Sequence, residues 1–282
     1  MPHRSRWSID IPTQSLTSFL FGLPTAKLDD KPILINAENS DQYLTHHTYR
    51  EWSKRLALGL QQRGFRPGDR LLLFSGNTVF FPVILQGVLM AGGIFTGANP
   101  TYVAREVAYQ LQDSGATFLI TAASSVATAL DAASSIDFPK DRIFVMGNGS
   151  EIFEDRSTAV SGVQHWTSLL ASASEAAGFS WEEFTTREQM NRTAVINYSS
   201  GTTGLPKGVE ISHLNYISNI MQADFMHRLV PDFEDWKKRA AILAFLPMYH
   251  AYGQTYFCVS YGESCVVPIL GRPTAADNSP RR

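Results

Sequence analysis

The sequence predicts an α/β protein with a largely parallel β-sheet that is covered by helices on both faces. Short apolar segments alternate along the chain with segments of helical periodicity, which is the pattern of repeated β-α units. The apolar segments, such as residues 70–74, are hydrophobic at nearly every position, as is typical of parallel strands buried on both faces. Turns such as Pro67-Gly68-Asp69 separate the two kinds of segment. This alternation predicts helices on both sides of the sheet.

The composition favours a soluble globular chain and excludes several functional classes. The chain has 282 residues, of which 44% are hydrophobic and 18% charged, so it can bury a sizeable core. The formal net charge is −2 and neither half is strongly basic, which argues against a nucleic-acid-binding surface. Cys258 and Cys265 form neither a zinc pattern nor a disulfide framework, and we predict two buried thiols. The apolar run 79–95 is just short of a membrane span; it predicts a buried helix, with a membrane segment as the minor alternative.

The first half of the chain supplies most of the predicted β-α units. An extended entry segment over residues 1–47 contains a predicted strand at 31–36. Thr48 and Glu51 have the spacing of a capping box, and the apolar periodicity that follows predicts a helix that ends at Gly64. The later predicted elements are strands at 70–74, 117–121 and 142–146, a short strand or loop through Phe95, and helices at 78–92, 103–113 and 124–135.

The second half contains an irregular connection and then a further group of elements. Residues 147–190 are rich in Ser, Glu and Ala and predict a loop-and-helix connection with a subdomain boundary. An apolar strand at 193–198 is followed by a glycine-rich loop, a helix at 213–229 and a buried strand at 240–246. We therefore expect three parts: a first α/β subdomain over 1–190, the start of a second over 191–261, and an atypical tail over 262–282.

The most informative segment is residues 198–208, which read YSSGTTGLPKG. The glycines let backbone amides approach an anion closely, and the Ser and Thr hydroxyls add short donors to phosphate oxygens. Lys207 brings a mobile positive charge. The segment is not a Walker A loop, because that motif places the lysine between a glycine and a Ser or Thr. A flexible surface linker is the alternative, which the buried strand in front of the loop disfavours.

This loop resembles, residue for residue, the phosphate-loop signature of the adenylate-forming (AMP-binding) superfamily. Three other segments look like landmarks of the same family in the expected order: residues 64–69 (GFRPGD), 93–100, and 245–253 (FLPMYHAYG). The resemblance covers about residues 9–261 and is nearest to the 4-coumarate–CoA ligase-like branch of acyl-CoA synthetases. It implies the N-terminal portion of such an enzyme, with a layered αβαβα architecture and largely parallel sheets.

The resemblance also implies an activity and a set of site residues. The activity is that of an acid–thiol ligase: ATP-dependent activation of a carboxylic acid to acyl-AMP, followed by thioester formation with CoA, in secondary metabolism. ATP, Mg²⁺ and coenzyme A are the implied cofactors or co-substrates. His250 matches a family histidine between the carboxylate and CoA tunnels, a catalytic and substrate-binding position, and Tyr252 matches a position that contacts the acyl group. The implied phosphate-binding residues are Ser199, Ser200, Gly201, Thr202, Thr203, Gly204 and Lys207.

The segment after Gly253 departs from the family pattern. The family's Tyr-Gly-x-Thr-Glu motif, ribose-binding aspartate and C-terminal lid with a catalytic lysine do not follow it, and residues 262–282 are polar and turn-rich. We therefore expect a truncated chain or an imperfect gene model that diverges near Tyr261, with a natural short protein as the alternative.

Three functional hypotheses stay open at this point. The chain, or a full-length parent, is an acyl-CoA ligase; or it is a catalytically inactive remnant that binds a phosphate or a partner protein; or it adenylates an acid for a carrier-protein thiol or for oxygen. We expect a cytoplasmic location, or a peroxisomal one if a full-length form carries a C-terminal signal.

Overall fold

The computed structural model describes residues 5–153, 158–199, 205–262 and 266–271, which form two β-sheets surrounded by helices. The strands of these residues are β1 (Pro32–Asn36), β2 (Asn39–Thr45), β3 (Arg70–Phe74), β4 (Ile94–Ala98), β5 (Ala116–Ala122), β6 (Ile143–Met146), β7 (Gln164–His165), β8 (Thr193–Ser199), β9 (Lys207–Ser212) and β10 (Val267–Ile269). The α-helices are α1 (Leu16–Phe21), α2 (His46–Gln62), α3 (Phe81–Met90), α4 (Ala104–Ser114), α5 (Val126–Ser135), α6 (Ser150–Phe153), α7 (Ala173–Ala177), α8 (Arg187–Met190), α9 (His213–Arg228), α10 (Phe233–Lys237) and α11 (Ala251–Gly262).

The larger sheet has seven strands in the order β7-β6-β5-β3-β4-β8-β9. All neighbouring pairs are parallel except the last, because β9 returns antiparallel to β8 through a hairpin. The smaller sheet has the order β10-β1-β2, with β1 parallel to β10 and antiparallel to β2. The prediction of an α/β fold with a mostly parallel sheet is confirmed.

The central strand β3 explains why the apolar segments are hydrophobic at every position. Successive side chains of a strand point to opposite faces of the sheet. Leu71 and Leu73 belong to the core cluster that includes α2, α3, α9 and α11, whereas Leu72 and Phe74 belong to the cluster that includes α4 and α5. Both faces of this strand are therefore covered, as the sequence predicts.

Helix α3 is the element that accounts for the long apolar run near residues 79–95. All ten of its residues, from Phe81 to Met90, are buried between the sheet and its neighbours, chiefly α2. Gln86 lies in this helix without contact to water, and its Oε1 accepts a hydrogen bond from the Thr17 hydroxyl at 3.1 Å. Among the described residues, no helix combines the length and apolar character that crossing a bilayer requires. The prediction of a buried helix is confirmed.

Helix α2 begins earlier than the sequence pattern suggests. The predicted capping box at Thr48 and Glu51 is wrong. Thr45 is the N-cap residue: its hydroxyl accepts from the Thr48 amide at 3.1 Å, and the Thr48 hydroxyl accepts from the Thr45 amide at 2.8 Å. The T-x-x-T pair satisfies two free amide groups one turn before the predicted start, which moves the helix to His46.

Two further predictions differ from the structure near the site. Residues 240–246 form no named strand; Ala241 and Ala244 make isolated parallel bridges to Val266 and Ile269, next to the short strand β10. Strand β9 is absent from the sequence-based prediction.

The division into subdomains at residue 191 stays a prediction, and we note that β8 is hydrogen-bonded to β4 in one sheet. Cys258 is buried as predicted, and Cys265 lies outside the described residues.

Candidate functional site

The described residues include four of the predicted site residues and not the middle of the phosphate loop. Ser199, Lys207, His250 and Tyr252 are described. The positions outside the described residues are Ser200, Gly201, Thr202, Thr203 and Gly204. The described residues define the base of the loop and the segment at the start of helix α11.

The base of the loop is an antiparallel hairpin formed by β8 and β9. Ser199, the last residue of β8, is paired in register with Lys207, the first residue of β9. Strand β8 is buried from Ala194 to Asn197 and reaches the surface at Ser199, so the hairpin emerges from the core at the carboxyl edge of the parallel strands. Lys207 is exposed and makes no ion pair with any described residue, which leaves its ammonium group available to an anion. Ligand sites of open α/β sheets lie at this edge.

His250 and Tyr252 lie at the start of helix α11. The His250 carbonyl accepts from the Gln254 amide at 3.1 Å, and His250 Nδ1 accepts from the Tyr252 amide at 3.3 Å, so the residue caps the helix with its own ring. Since Nδ1 is an acceptor, a neutral ring carries its proton on Nε2. His250 is exposed, and the Tyr252 side chain is 62% exposed. Both rings are thus accessible on the surface.

Asn77 attaches the segment in front of α11 to the end of strand β3. Its Nδ2 donates to the carbonyl of Leu246 at 2.9 Å and lies 3.4 Å from that of Ala244, and its Oδ1 accepts from the Met248 amide at 2.8 Å. The bonds to Leu246 and Met248 satisfy backbone groups beyond Ala244, which makes the last bridge to β10. Asn77 fixes the His250 segment at the same sheet edge as the phosphate hairpin.

Gly97 lets that segment approach strand β4. A Cβ atom at Gly97 would lie 2.9 Å from Tyr249 Cα, closer than real contacts allow. The backbone of Tyr249 therefore rests directly on β4, which is the neighbour of β8 in the sheet. Glycine at position 97 is explained by this close approach rather than by a turn.

A buried polar cluster connects α11 to the hairpin strand. Gln254 Oε1 accepts from Asn197 Nδ2 at 2.9 Å and from the Tyr216 hydroxyl at 2.5 Å. Gln254 is 2% exposed and Asn197 6% exposed. Burial raises the pKa of Tyr216, so its phenol stays a donor. Asn197 lies two residues before Ser199, so the cluster places the start of α11 beside the phosphate hairpin.

A partly open cavity of about 140 Å³ lies at the opposite edge of the sheet. Gly93 and Thr193, which flank the amino ends of β4 and β8, line it together with His213. Strand β8 has seven residues, so this cavity is roughly 20 Å from the hairpin at about 3.3 Å per residue. Because of that separation, it is not part of the candidate phosphate site.

The loop and His250 are proposed from the sequence, whereas Asn77, Asn197 and Gln254 emerge as their neighbours only from the structure. Their partners are 38 to 171 residues away in sequence, and no local pattern indicates such pairs. Asn77 lies four residues before α3, which begins at Phe81 without a side-chain cap, so the residue is free to bond the 246–248 segment instead. One signal could have indicated Asn77: polar residues that follow a buried strand lie at the sheet edge where ligand sites occur.

Comparison with known proteins identifies the family of the chain. Residues 24–278 match the AMP-binding enzyme family. A phenylacetyl-CoA ligase of Aspergillus niger is 33% identical over 245 residues, which is 86% of this chain and 42% of that protein. A 4-coumarate–CoA ligase-like protein of Arabidopsis thaliana is 30% identical over 206 residues, or 73% of this chain and 33% of that protein. The chain spans less than half the length of these relatives.

Solved structures share the fold. A red-emitting luciferase of Phrixothrix hirtus superposes with a TM-score of 0.75 at 24% identity, over 93% of this chain and 60% of that one. ATP-bound MatB of Rhodopseudomonas palustris superposes with a TM-score of 0.66 at 24% identity, over 90% of this chain and 44% of that one. At this identity the likeness concerns architecture alone. Taken with the match over residues 24–278, the observations establish that the chain belongs to the AMP-binding enzyme family.

Proposed function

We propose that this chain binds the triphosphate of ATP at the hairpin between β8 and β9, and that the protein activates a carboxylic acid as acyl-AMP for transfer to CoA. The observation that carries the proposal is the YSSGTTGLPKG segment at the carboxyl end of β8, with Ser199 and Lys207 paired at its base. Family membership and the names of the relatives, which include a phenylacetyl-CoA ligase and long-chain-fatty-acid–CoA ligases, support it.

The hairpin supplies what the first half-reaction needs. A carboxylate oxygen attacks the α-phosphorus of ATP, a new P–O bond forms, and pyrophosphate leaves with the electron pair of the broken bond. This chemistry depends on positioning and charge stabilisation more than on covalent help. Lys207 would neutralise charge that accumulates on the departing pyrophosphate, and the Ser and Thr hydroxyls would donate to its oxygens.

His250 and Tyr252 are proposed to act on the acid. The Nε2–H group of His250 is the free donor of a ring whose other nitrogen is bonded to the Tyr252 amide, so it is suited to orient a carboxylate oxygen. Tyr252 and Tyr256 have ring centroids 6.4 Å apart and form an aromatic surface beside it. This surface favours an acid with an aryl group, in line with the phenylacetyl-CoA ligase relative.

In this proposal Mg²⁺ binds together with ATP, as the counter-ion of the triphosphate. Among the described residues, no group of three or more His, Cys, Asp or Glu side chains is placed to hold a metal ion. These residues therefore do not form a cage for the ion, and Mg²⁺ would be bound mainly by phosphate oxygens and water, as it prefers.

ATP–pyrophosphate exchange tests the proposal. The purified chain is incubated with ATP, labelled pyrophosphate and one acid at a time from a panel of phenylacetate, 4-coumarate and fatty acids of increasing length. Exchange that requires an aryl acid would support adenylation and the proposed substrate class. Exchange with fatty acids alone would contradict the substrate class, and no exchange with any acid would favour a non-catalytic phosphate-binding chain.

The thiol acceptor needs a second measurement. With the acid that gives exchange, product formation is compared between CoA and a phosphopantetheinylated carrier protein. Thioester formation with CoA supports the proposed ligase, whereas transfer to the carrier protein alone, or consumption of oxygen, assigns the adenylate to a different acceptor.

A further inference from the structure

Two side chains of helix α4 contact both flanks of the phosphate hairpin. Tyr109 and Asp113 are four residues apart and lie on the same face of the helix. The Tyr198 hydroxyl donates to Asp113 Oδ2 at 2.6 Å, and the Tyr109 hydroxyl donates to the Pro206 carbonyl at 2.9 Å. Tyr198 comes just before the loop and Pro206 just after it, so one helix face holds the two ends.

The bond between Tyr198 and Asp113 is the stronger of the two. A phenol that donates to an ionised carboxylate makes a charge-assisted hydrogen bond, which is shorter and stronger than a neutral one. Burial raises the pKa of Tyr198, and the bond to Asp113 raises that pKa further. The phenol therefore remains protonated, and remains a donor, across the physiological pH range.

Gly208 makes room for this bond. Gly208 is the register partner of Tyr198 across the hairpin, and a Cβ atom there would lie 3.2 Å from both Cζ and Oη of Tyr198. A side chain at position 208 would thus push against the Tyr198 ring, whose hydroxyl is bonded to Asp113. The glycine after Lys207 is explained by the path of the tyrosine, independently of any contact with a nucleotide.

Helix α4 is itself firmly attached to the sheet. Its buried residues include Val107 and Leu111, which are 0% and 2% exposed. Gln110, in the same helix, donates from Nε2 to the Thr96 hydroxyl at 2.9 Å and to the Gly97 carbonyl at 3.1 Å. Residues that are hydrogen-bonded to such a helix are held in a fixed position by it.

We propose that Tyr109 and Asp113 are positioning residues that hold the two flanks of the hairpin, at Tyr198 and Pro206, so that Lys207 is presented to a polyphosphate. The inference rests on the proposed function, because it assigns the hairpin a polyphosphate ligand. The residues act through Tyr198 and Pro206. Neither Tyr109 nor Asp113 belongs to the loop motif, and the sequence analysis assigned them no role.

An electrostatic role and a positioning role for Asp113 predict opposite changes in polyphosphate affinity when the residue is replaced. Replacing Asp113 by Ala removes a negative charge near the proposed anion site, so a purely electrostatic role predicts tighter binding of a polyanion. The proposed positioning role predicts weaker binding. We expect a loss of roughly three- to tenfold in affinity, the range that corresponds to one lost hydrogen bond. Asp113→Asn retains an acceptor for the Tyr198 hydroxyl, so its polyphosphate affinity should lie between those of the unmodified chain and of Asp113→Ala.

The experiment uses the full chain and two readouts. Calorimetry measures the affinity for inorganic tripolyphosphate, and hydrogen–deuterium exchange without ligand follows peptides that cover residues 198–208. We expect Asp113→Ala and Tyr109→Phe to accelerate exchange in these peptides and to weaken tripolyphosphate binding, with little change in the midpoint of thermal unfolding. Asp131→Ala on α5 makes the same charge change at an exposed position away from the hairpin and should alter neither readout.

The outcomes separate this inference from the proposed function. Unchanged exchange in the variants, or affinity equal to or higher than that of the unmodified chain for Asp113→Ala, would overturn the positioning role. If the unmodified chain binds no tripolyphosphate while the variants still accelerate exchange, the contact between α4 and the hairpin stands as structure, but the proposed function and the positioning role for a polyphosphate both fail.

Discussion

Replacing His213 by Asn should remove a pH-dependent part of the stability. His213 is 6% exposed, and its Nδ1 accepts from the Leu16 amide at 3.0 Å. Burial, aided by the charge of Arg192, lowers the pKa of His213 from 6.5 to about 4. The folded state therefore disfavours the protonated ring, so this contribution to stability is present above the unfolded pKa and is lost as the pH falls from 6.5 towards 4.

The magnitude follows from the two pKa values. Between pH 8 and pH 5, linkage gives a loss of about 2 kcal/mol in the free energy of unfolding from this one residue. Asn offers Oδ1 near the position of Nδ1 to the Leu16 amide, and it does not titrate in this range. The substitution also changes the free energy of unfolding at every pH. The quantity to compare is therefore how much that free energy changes between pH 8 and pH 5 in each protein.

Urea denaturation at pH 8, 7, 6 and 5 measures this change for both proteins. The two proteins share every other ionisable side chain, so those contributions to the free energy of unfolding cancel in the difference. We expect the unmodified chain to lose about 2 kcal/mol more than His213→Asn between pH 8 and pH 5. Parallel pH profiles for the two proteins would refute the reasoning that His213 is held neutral by burial.

Two further predictions concern the segment in front of α11. Asn77→Ala removes the bonds to the backbone on both sides of Leu246; it should lower the free energy of unfolding by about 1–3 kcal/mol and speed exchange of the Met248 amide, as urea denaturation and hydrogen exchange will measure. Gly97→Ala places a Cβ against Tyr249 and should cost about 1–3 kcal/mol in urea denaturation. Gly178→Ala, where a Cβ meets nothing within 4 Å, is the control and should change little.

The sequence was sufficient where the determining interactions are local. The strand before the loop is apolar at successive positions, so residues 193–198 are sufficient to predict β8. The loop combines glycines, hydroxyls and one lysine within residues 198–208, and that composition is the basis on which we propose it as a phosphate site. Helix α4 likewise ends at Gly115, which adopts a left-handed backbone with φ of 64°. In strand β8 and at the end of α4, residues adjacent in sequence are enough to predict the local structure.

The sequence was insufficient where the partner is distant or where burial is partial. Strand β9 was missed because its first four residues are exposed and its order comes from pairing with β8. The apolar 240–246 segment predicts a buried strand. Its neighbour β10 has only three residues, and the two segments are joined by two isolated bridges instead of a continuous ladder. The link between Asn77 and Met248 spans 171 residues, and only the fold brings its two ends together.

The most direct test of the central claim is the affinity for ATP of the chain with and without the Lys207 ammonium group. Calorimetry compares the unmodified chain with Lys207→Ala, and with Lys140→Ala as a control for loss of one exposed positive charge at the far edge of the sheet. Loss of a charged hydrogen bond predicts that Lys207→Ala weakens ATP binding by roughly 10- to 100-fold, while Lys140→Ala leaves it unchanged. Equal affinities for ATP in all three proteins would contradict the account.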